Sequence, residues 1–248
     1  MAVVFVWAGL SAPDARGDAS PAPEPPAGLR VSAEGLPFRF PPTLDPARFE
    51  GVGRVELLVA INQSGHTVEW VTLEATHLAL AVAVERTLPL VKFEADEPFP
   101  EEMILRLGIR FRSDGVVSAV SGFDHVAGHL DRLAGEESEL ALKRVSARNL
   151  DAPLERIDTN QPYIVFSEEG IQYTGRARVE IFVDRFGRVS LPRVIDSDNE
   201  GVAEAAFLSV SEWRFRPPTE NGQPRVVRVV APFVIQPPGE GDVGSENR

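Results

Sequence analysis

Residues 175–187 read GRARVEIFVDRFG, and residues 53–65 read GRVELLVAINQSG. Both stretches begin with Gly-Arg, continue with alternating branched residues and end in a polar turn that is closed by glycine. Alternation with a period of two predicts a half-buried strand. Asp or Asn followed by Gly predicts a tight turn, because glycine accepts a positive φ. Each stretch is therefore expected to form the first strand of a hairpin.

The similarity continues along the chain at a constant shift of 122 residues, from Gly53 to Gly175. Without a gap, this shift matches VKF at 91–93 with WRF at 213–215, and ILRLGIRF at 104–111 with VVRVVAPF at 226–233. A register kept over about 60 residues is typical of an internal repeat. We therefore predict two copies of one module, with the helix between the hairpin and the last strands.

The second copy carries the clearer signals. Ser197-Asp-Asn-Glu200 fits the capping box of a helix start, and Trp213 falls on the apolar face of that helix. Asn221-Gly222 predicts the turn before a Val-rich strand over residues 225–235. In the first copy, the helix is expected from about Thr76 to Leu88.

Two further elements are expected between the copies. Residues 111–117 (FRSDGVV) predict a hairpin that adds a strand to the first copy. Residues 123–149 are helical in character, with Val126, Leu130 and Leu133 on one stripe.

These patterns predict six parts: a truncated signal segment 1–19, a Pro-rich tether 20–35, a degenerate module 36–120, a helical connector 121–158, a second module 159–236 and a disordered tail 237–248. The apolar run 2–10 is too short for a membrane span, which needs about 20 residues, but it suits the centre of a secretory signal. Only Met1 precedes the run. Either the true start lies upstream or this is a chance apolar end; we expect export.

Composition narrows the function classes. The 248 residues are 43% hydrophobic and 25% charged, which fits a folded chain. The net charge of −12 disfavours nucleic acids and anionic membranes, because both are bound through Lys and Arg. There is no cysteine, so disulfide frameworks and thiolate metal sites are excluded.

The sequence offers little for catalysis. It lacks the glycine motifs of phosphate and dinucleotide sites and the nucleophile elbow. His125 and His129 have the i, i+4 spacing of zinc ligands, but valine follows the first histidine where metalloproteases have glutamate. Asp184, Asp196 and Asp198 are explained by a turn and a helix cap. We predict no enzyme, no metal and no cofactor.

The second copy resembles the C-terminal domain of TonB, the periplasmic energy transducer of Gram-negative bacteria. The similarity covers about residues 160–235, and the first copy repeats its outline over 53–111. It begins at Asn160-Gln-Pro-Tyr163 and is most specific at Trp213-Arg-Phe-Arg-Pro217, where the helix ends. The core motif residues are Gly175, Asp184, Gly187, Trp213, Phe215 and Pro217.

The resemblance implies an α+β fold in which a small antiparallel sheet carries one helix. It also implies that an edge strand pairs with the TonB box of an outer-membrane transporter, and that force comes from an ExbB–ExbD motor. The expected partner-binding residues are Arg225, Val226, Val227, Arg228, Val229 and Val230, with Asn160, Gln161 and Pro162 beside the peptide.

The sequence departs from this family in three ways. It shows no N-terminal membrane helix, so ExbB–ExbD is expected only if one lies upstream; its Pro-rich spacer is short; and its charge is acidic. The first interpretation is therefore a periplasmic protein that binds an extended peptide by strand addition. The alternative is an anchorless scaffolding or homodimerising envelope module whose edge is covered, because uncovered flat edges invite aggregation.

Overall fold

The computed structural model describes most of the two predicted modules. The described residues are 30–31, 38, 41, 44, 53–99, 103–112, 115–121, 140–158, 160 and 162–236. The predicted signal segment, most of the tether and the predicted tail lie outside this part of the chain.

The secondary structure is mostly antiparallel sheet. The first part of the chain contains β1 (Arg30–Val31), β2 (Gly53–Ile61), β3 (Thr67–Ala75), α1 (Leu78–Thr87), β4 (Phe93–Glu94), β5 (Met103–Arg112), β6 (Gly115–Ser121) and β7 (Lys143–Val145). The second part contains β8 (Gly175–Val183), β9 (Val189–Ser197), α2 (Glu200–Ser211), β10 (Thr219–Glu220) and β11 (Gln223–Ile235). Short 3-10 turns follow α1 and β7, at Leu88–Leu90 and Ala147–Asn149.

The strands form two larger sheets. One has the order β3-β2-β5-β6, and the other has the order β10-β11-β8-β9, with β7 also paired to β11. The described residues divide into two compact units: the first holds those from 30 to 145 together with 219–226, and the second holds 146–218 and 227–236. The expected α+β class is confirmed.

The two hairpins close with the same hydrogen bonds. In the first hairpin, the Asn62 amide donates to the His66 carbonyl at 3.0 Å, and the Gly65 amide donates to the Asn62 carbonyl at 2.9 Å. In the second hairpin, the Asp184 amide donates to the Arg188 carbonyl and the Gly187 amide to the Asp184 carbonyl, both at 2.9 Å. The side chains of Asn62 and Asp184 also accept two turn amides each. The predicted turn chemistry therefore forms in both places.

The strand registers agree in the hairpins but not in the last strand. Val55 pairs with Ala75 as Ala177 pairs with Ser197, and an irregularity follows one residue later in both. Gly53, however, pairs with Phe111, whereas Gly175 pairs with Ile235. The sequence match pairs Phe111 with Phe233, but in the sheets the residue equivalent to Phe111 is Ile235, two residues farther along the strand. Because side chains alternate with a period of two, this displacement keeps the same face inward.

The start of α2 differs from the expected capping box. Asn199 is the N-cap, and its side-chain oxygen accepts from the Val202 amide at 2.9 Å. Ser197 is still paired in β9, opposite Ala177, so it is unable to cap the helix. The adjacent Asp198 carboxylate instead accepts from the Arg176 amide at 2.8 Å.

The elements between the modules are partly as expected. The added hairpin is present, with Arg112 opposite Gly115. The helical prediction for the connector is wrong at Lys143–Val145, which form β7, because pairing with β11 overrides the local pattern. Residues 140–142 and 146–158 of the predicted connector contain no α-helix, only the short 3-10 turn at Ala147–Asn149, and residues 122–139 lie outside the described part of the chain.

Each helix packs on the first hairpin of its own unit, α1 on β2 and β3, and α2 on β8 and β9. In the second unit the core includes Val179 and Ile181 from β8 and Ala205 and Ala206 from α2, all fully buried. Burial of each larger aliphatic side chain contributes about 1.5–3 kcal/mol to stability.

Gly187 is expected to tolerate no side chain. Its φ is +80°, and an added Cβ would lie 1.9 Å from the Phe215 carbonyl oxygen. We predict that Gly187→Ala lowers the free energy of unfolding by about 3 kcal/mol or more, since a backbone clash adds to the cost of a left-handed alanine. Gly170 is the matched control, because its φ is +77° and nothing lies within 4 Å of an added Cβ. Gly170→Ala should cost about 1–2 kcal/mol in urea unfolding, and equal losses would contradict the assigned contact.

Candidate functional site: the outer edge of β11

The predicted partner-binding residues all lie on β11, and they differ in exposure. Arg225, Val226, Val227 and Val229 are buried, Val230 is partly exposed, and Arg228 is exposed. Strand addition uses the backbone rather than the side chains, so the decisive question is which amides face away from the sheet.

The turn between β8 and β9 fixes the direction of these amides. The Asp184 amide donates to the Arg188 carbonyl, so the peptide groups of Asp184 face β9. Peptide groups alternate along a strand, and those of Val183 therefore face the opposite side, toward β11. Val183 is paired with Val227. The amide of Val227 thus bonds within the sheet and is not a free edge donor.

The same alternation identifies the outward groups. The register between β8 and β11 is unbroken from Val227 to Ile235. Every second residue from Val227 therefore faces β8, and Arg228, Val230 and Val234 direct their amides away from it. Pro232 also falls at an outward position, where proline is tolerated because no sheet hydrogen bond is lost. The outer side of β11 is thus a run of amides that is interrupted by one proline.

The beginning of β11 is already paired. Asn221 and Gly222 have φ values of +54° and +70°, as in the tight turn that joins β10 to β11. This turn pairs Glu220 with Gln223. Gln223 is an even number of residues from Val227, so the peptide groups of both face the same side of β11, and β10 lies on the side of β8. The three-residue β7 is then left for the other side.

An ion-pair cluster locates β7 near this turn. The Glu220 carboxylate lies 2.9 Å from Lys143 Nζ and 3.1 Å from Arg225 Nε. Hydrogen bonds from these two side chains hold the pKa of Glu220 below its usual range. Among the described strands, none is then left to pair with the outward side of Val230 to Val234. The open part of the edge is therefore Val230 to Val234, which begins at the last residue of the predicted binding segment 225–230 and extends beyond it.

The segment that was expected beside the peptide is held elsewhere. Asn160 donates its amide to the Asp158 carboxylate at 3.2 Å and accepts from Arg156 Nη2 at 3.1 Å. Tyr163 donates its amide to Ser209 Oγ at 2.8 Å and its hydroxyl to Glu212 at 2.7 Å, and this bond raises the pKa of Tyr163. These contacts place the segment along the end of α2. No hydrogen bond of the described residues joins Asn160 or Pro162 to β11, and Gln161 lies outside that part of the chain.

The tryptophan motif at the end of α2 is structural. Trp213 is 4% exposed and Phe215 is 1% exposed, with their rings edge to face at a centroid distance of 6.3 Å. The Arg156 guanidinium covers the indole at 4.4 Å. Of the remaining motif residues, Pro217 is exposed at the surface.

Asp158 joins this motif to the preceding segment, and no sequence pattern indicates this role. Its carboxylate accepts the Arg214 amide at 2.7 Å and Arg156 Nε at 2.9 Å. Burial by itself would raise the pKa of Asp158, but the hydrogen bonds from Arg156 and Arg214 outweigh it and lower the pKa.

In the first unit, the corresponding edge is closed by the chain itself. β6 pairs antiparallel with β5 from Arg106↔Ser121 to Arg112↔Gly115. It lies on the side of β5 away from β2, as the outer side of β11 faces away from β8. β6 thus occupies the position that an added peptide strand would take.

Other candidate residues do not assemble into a site. His66 lies in the first hairpin turn and His77 at the start of α1, whereas His125 and His129 are outside the described residues. Within the described part of the chain, no group of three or more His, Asp or Glu side chains could hold a metal ion.

An antiparallel sheet backed by one helix, with a partly open edge strand, defines a small α+β interaction module. Residues 169–234 match the Gram-negative bacterial TonB protein C-terminal family, so the second module is a TonB C-terminal domain. Domains of this family are non-enzymatic and interact with outer-membrane transporters. A comparison with curated proteins gives no match. Neither helix among the described residues is long and apolar enough to cross a membrane.

Removal of the indole is expected to destabilise the second unit strongly. Trp213→Ala should lower the free energy of unfolding by about 3–5 kcal/mol, because it leaves a cavity between α2 and the sheet. Trp70→Ala is the control, since Trp70 on β3 is only partly buried and should lose clearly less. Chemical unfolding followed by circular dichroism measures both, and an unchanged midpoint for Trp213→Ala would contradict the core assignment.

Proposed function

We propose that the protein is a periplasmic TonB-family adaptor that binds an extended peptide of an outer-membrane transporter or similar partner. The peptide is added as a strand to the outer side of β11. The observation that carries this proposal is the outward run of peptide groups from Val230 to Val234 in the TonB C-terminal domain. A TonB box is the expected type of peptide.

We also propose that the first module is a degenerate second copy of this domain. Support comes from hydrogen bonds that recur at the shift of 122 residues. The Phe93 amide donates to the Gly65 carbonyl at 2.8 Å, as the Phe215 amide donates to the Gly187 carbonyl at 2.7 Å. Because β6 closes its edge, this copy binds no peptide, and the chain binds one peptide in all.

A role in energy transduction needs a connection to a motor such as ExbB–ExbD, which acts through a membrane segment. The TonB C-terminal domain supports a TonB-like role in transport. Peptide recruitment is the part of that role for which β11 supplies the chemistry.

The alternative function is scaffolding, with the edge of β11 covered by a second copy of the chain. The outer side of β11 from Val230 to Val234, which is unpaired among the described strands, also favours it, because an uncovered flat edge can pair with a second copy. Sedimentation of the free protein distinguishes the two, since scaffolding predicts a dimer in which no peptide binds to β11.

Binding is tested with the neutral peptide Thr-Val-Gln-Val-Gln-Val-Thr, blocked at both ends, in an NMR titration of the full chain. We expect one peptide per chain and micromolar or weaker affinity, because ordering a flexible peptide offsets much of the gain. The amides of Val230 and Val234 should shift most, and those of β5 and β6 should not.

The matched variants separate backbone from side-chain recognition. Val230→Pro removes an outward N–H, at an edge that already accepts Pro232, and should weaken binding about tenfold or more. Val230→Ala keeps the N–H and should stay within about threefold. Equal losses would indicate a side-chain pocket, and no binding by the unmutated chain would overturn the proposal.

A further inference from the structure

One face of the second sheet is rich in arginine. The face opposite α2 presents four arginine side chains, all exposed, at Arg176 and Arg178 on β8, Arg193 on β9 and Arg228 on β11. The acidic residues beside them on this face are Glu180, opposite Arg193, Asp196, opposite Arg178, and Asp198, whose carboxylate accepts from the Arg176 amide at 2.8 Å. Four arginines beside three carboxylates leave a small excess of positive charge on this face, in a chain whose net charge is −12.

Two of the four arginines are engaged with one carboxylate. Glu180 is 8% exposed and accepts from Arg193 Nη2 at 3.1 Å and from Arg228 Nε at 2.8 Å. A buried carboxylate that is shared by two arginines leaves one positive charge unbalanced. It also draws the Arg228 guanidinium toward β8 and away from the outer edge.

The other two arginines stand next to the open part of β11. Arg178 lies opposite Pro232, and Arg176 lies opposite Val234. The side chains of Pro232 and Val234 are short, so they leave room for arginine side chains to extend across β11. The strand positions with outward peptide groups are therefore flanked by cationic groups on one face.

A strand added to β11 would come within reach of these groups. It would lie two strand spacings from β8, about 10 Å away. An extended arginine side chain and a glutamate side chain together span this gap. The other face of the added strand would continue the apolar side that Ala231 and Phe233 present toward the core.

We propose that the bound peptide alternates acidic and apolar residues, with its carboxylates over Arg176 and Arg178. This inference rests on strand addition at β11, which is the proposed function. The acidic side chains select which face of the peptide turns toward the arginines, and the apolar ones cover the core side.

The test compares three peptides that differ only in the residues facing the arginines: Thr-Val-Glu-Val-Glu-Val-Thr, its Gln analogue and its Lys analogue. Isothermal titration of the full chain should give about tenfold tighter binding for Glu than for Gln, since two exposed ion pairs are each worth a factor of about two to five. The Lys peptide should bind more weakly than both. The preference for Glu should shrink at high salt, because screening weakens exposed pairs.

The double variant Arg176→Gln/Arg178→Gln should remove the preference for Glu and leave the Gln peptide bound as before. Arg193→Gln is the control, because it removes one arginine charge from the same face but lies one strand farther from the added peptide. Equal binding of the Glu and Gln peptides would overturn this inference while strand addition stands. Binding of none of the three peptides would overturn both.

Discussion

The hydrogen bond from the Phe215 amide to the Gly187 carbonyl determines where the chain goes after α2. It joins the end of the helix to the turn of the β8–β9 hairpin, and no side chain fits between them. Trp213 is thereby held under Arg156, and the chain is directed into β10 and β11. The edge that is proposed to bind a peptide depends on this junction, because the path of the chain sets the register of β11 against β8.

Much of the fold could be predicted from local patterns. Hairpin turns are encoded by an Asn or Asp that accepts nearby amides and by a glycine at positive φ, so residues 62–65 and 184–187 were readable from sequence. Elements decided by distant partners were not. β7 becomes a strand only because β11 pairs with it, and Ser197 fails as a cap only because β9 still holds it. A displacement by two residues in the last strand leaves the hydrophobic pattern unchanged, so the sequence carries no sign of it.

The sequence predicts the strand β11, but not which of its peptide groups face outward. The sequence indicated β11 as an edge, yet it could not say which amides point outward, because side-chain alternation is the same for either choice. The answer came from the Asp184–Arg188 hydrogen bond and agrees with the position of Pro232. The first module illustrates the outcome of covering such an edge, since β6 closes β5 with the chain's own residues.

Strand addition requires that the outer side of β11 be open between Val230 and Val234. Amide hydrogen exchange measured by NMR on the full chain tests it most directly. We expect slow exchange at Val229, Ala231 and Phe233, which bond to β8, and fast exchange at Val230 and Val234, because exposed amides lack protection. Added peptide should slow the second set alone. Equal protection of both sets in the free protein would show that the edge is already covered and that β11 is unable to accept a peptide strand.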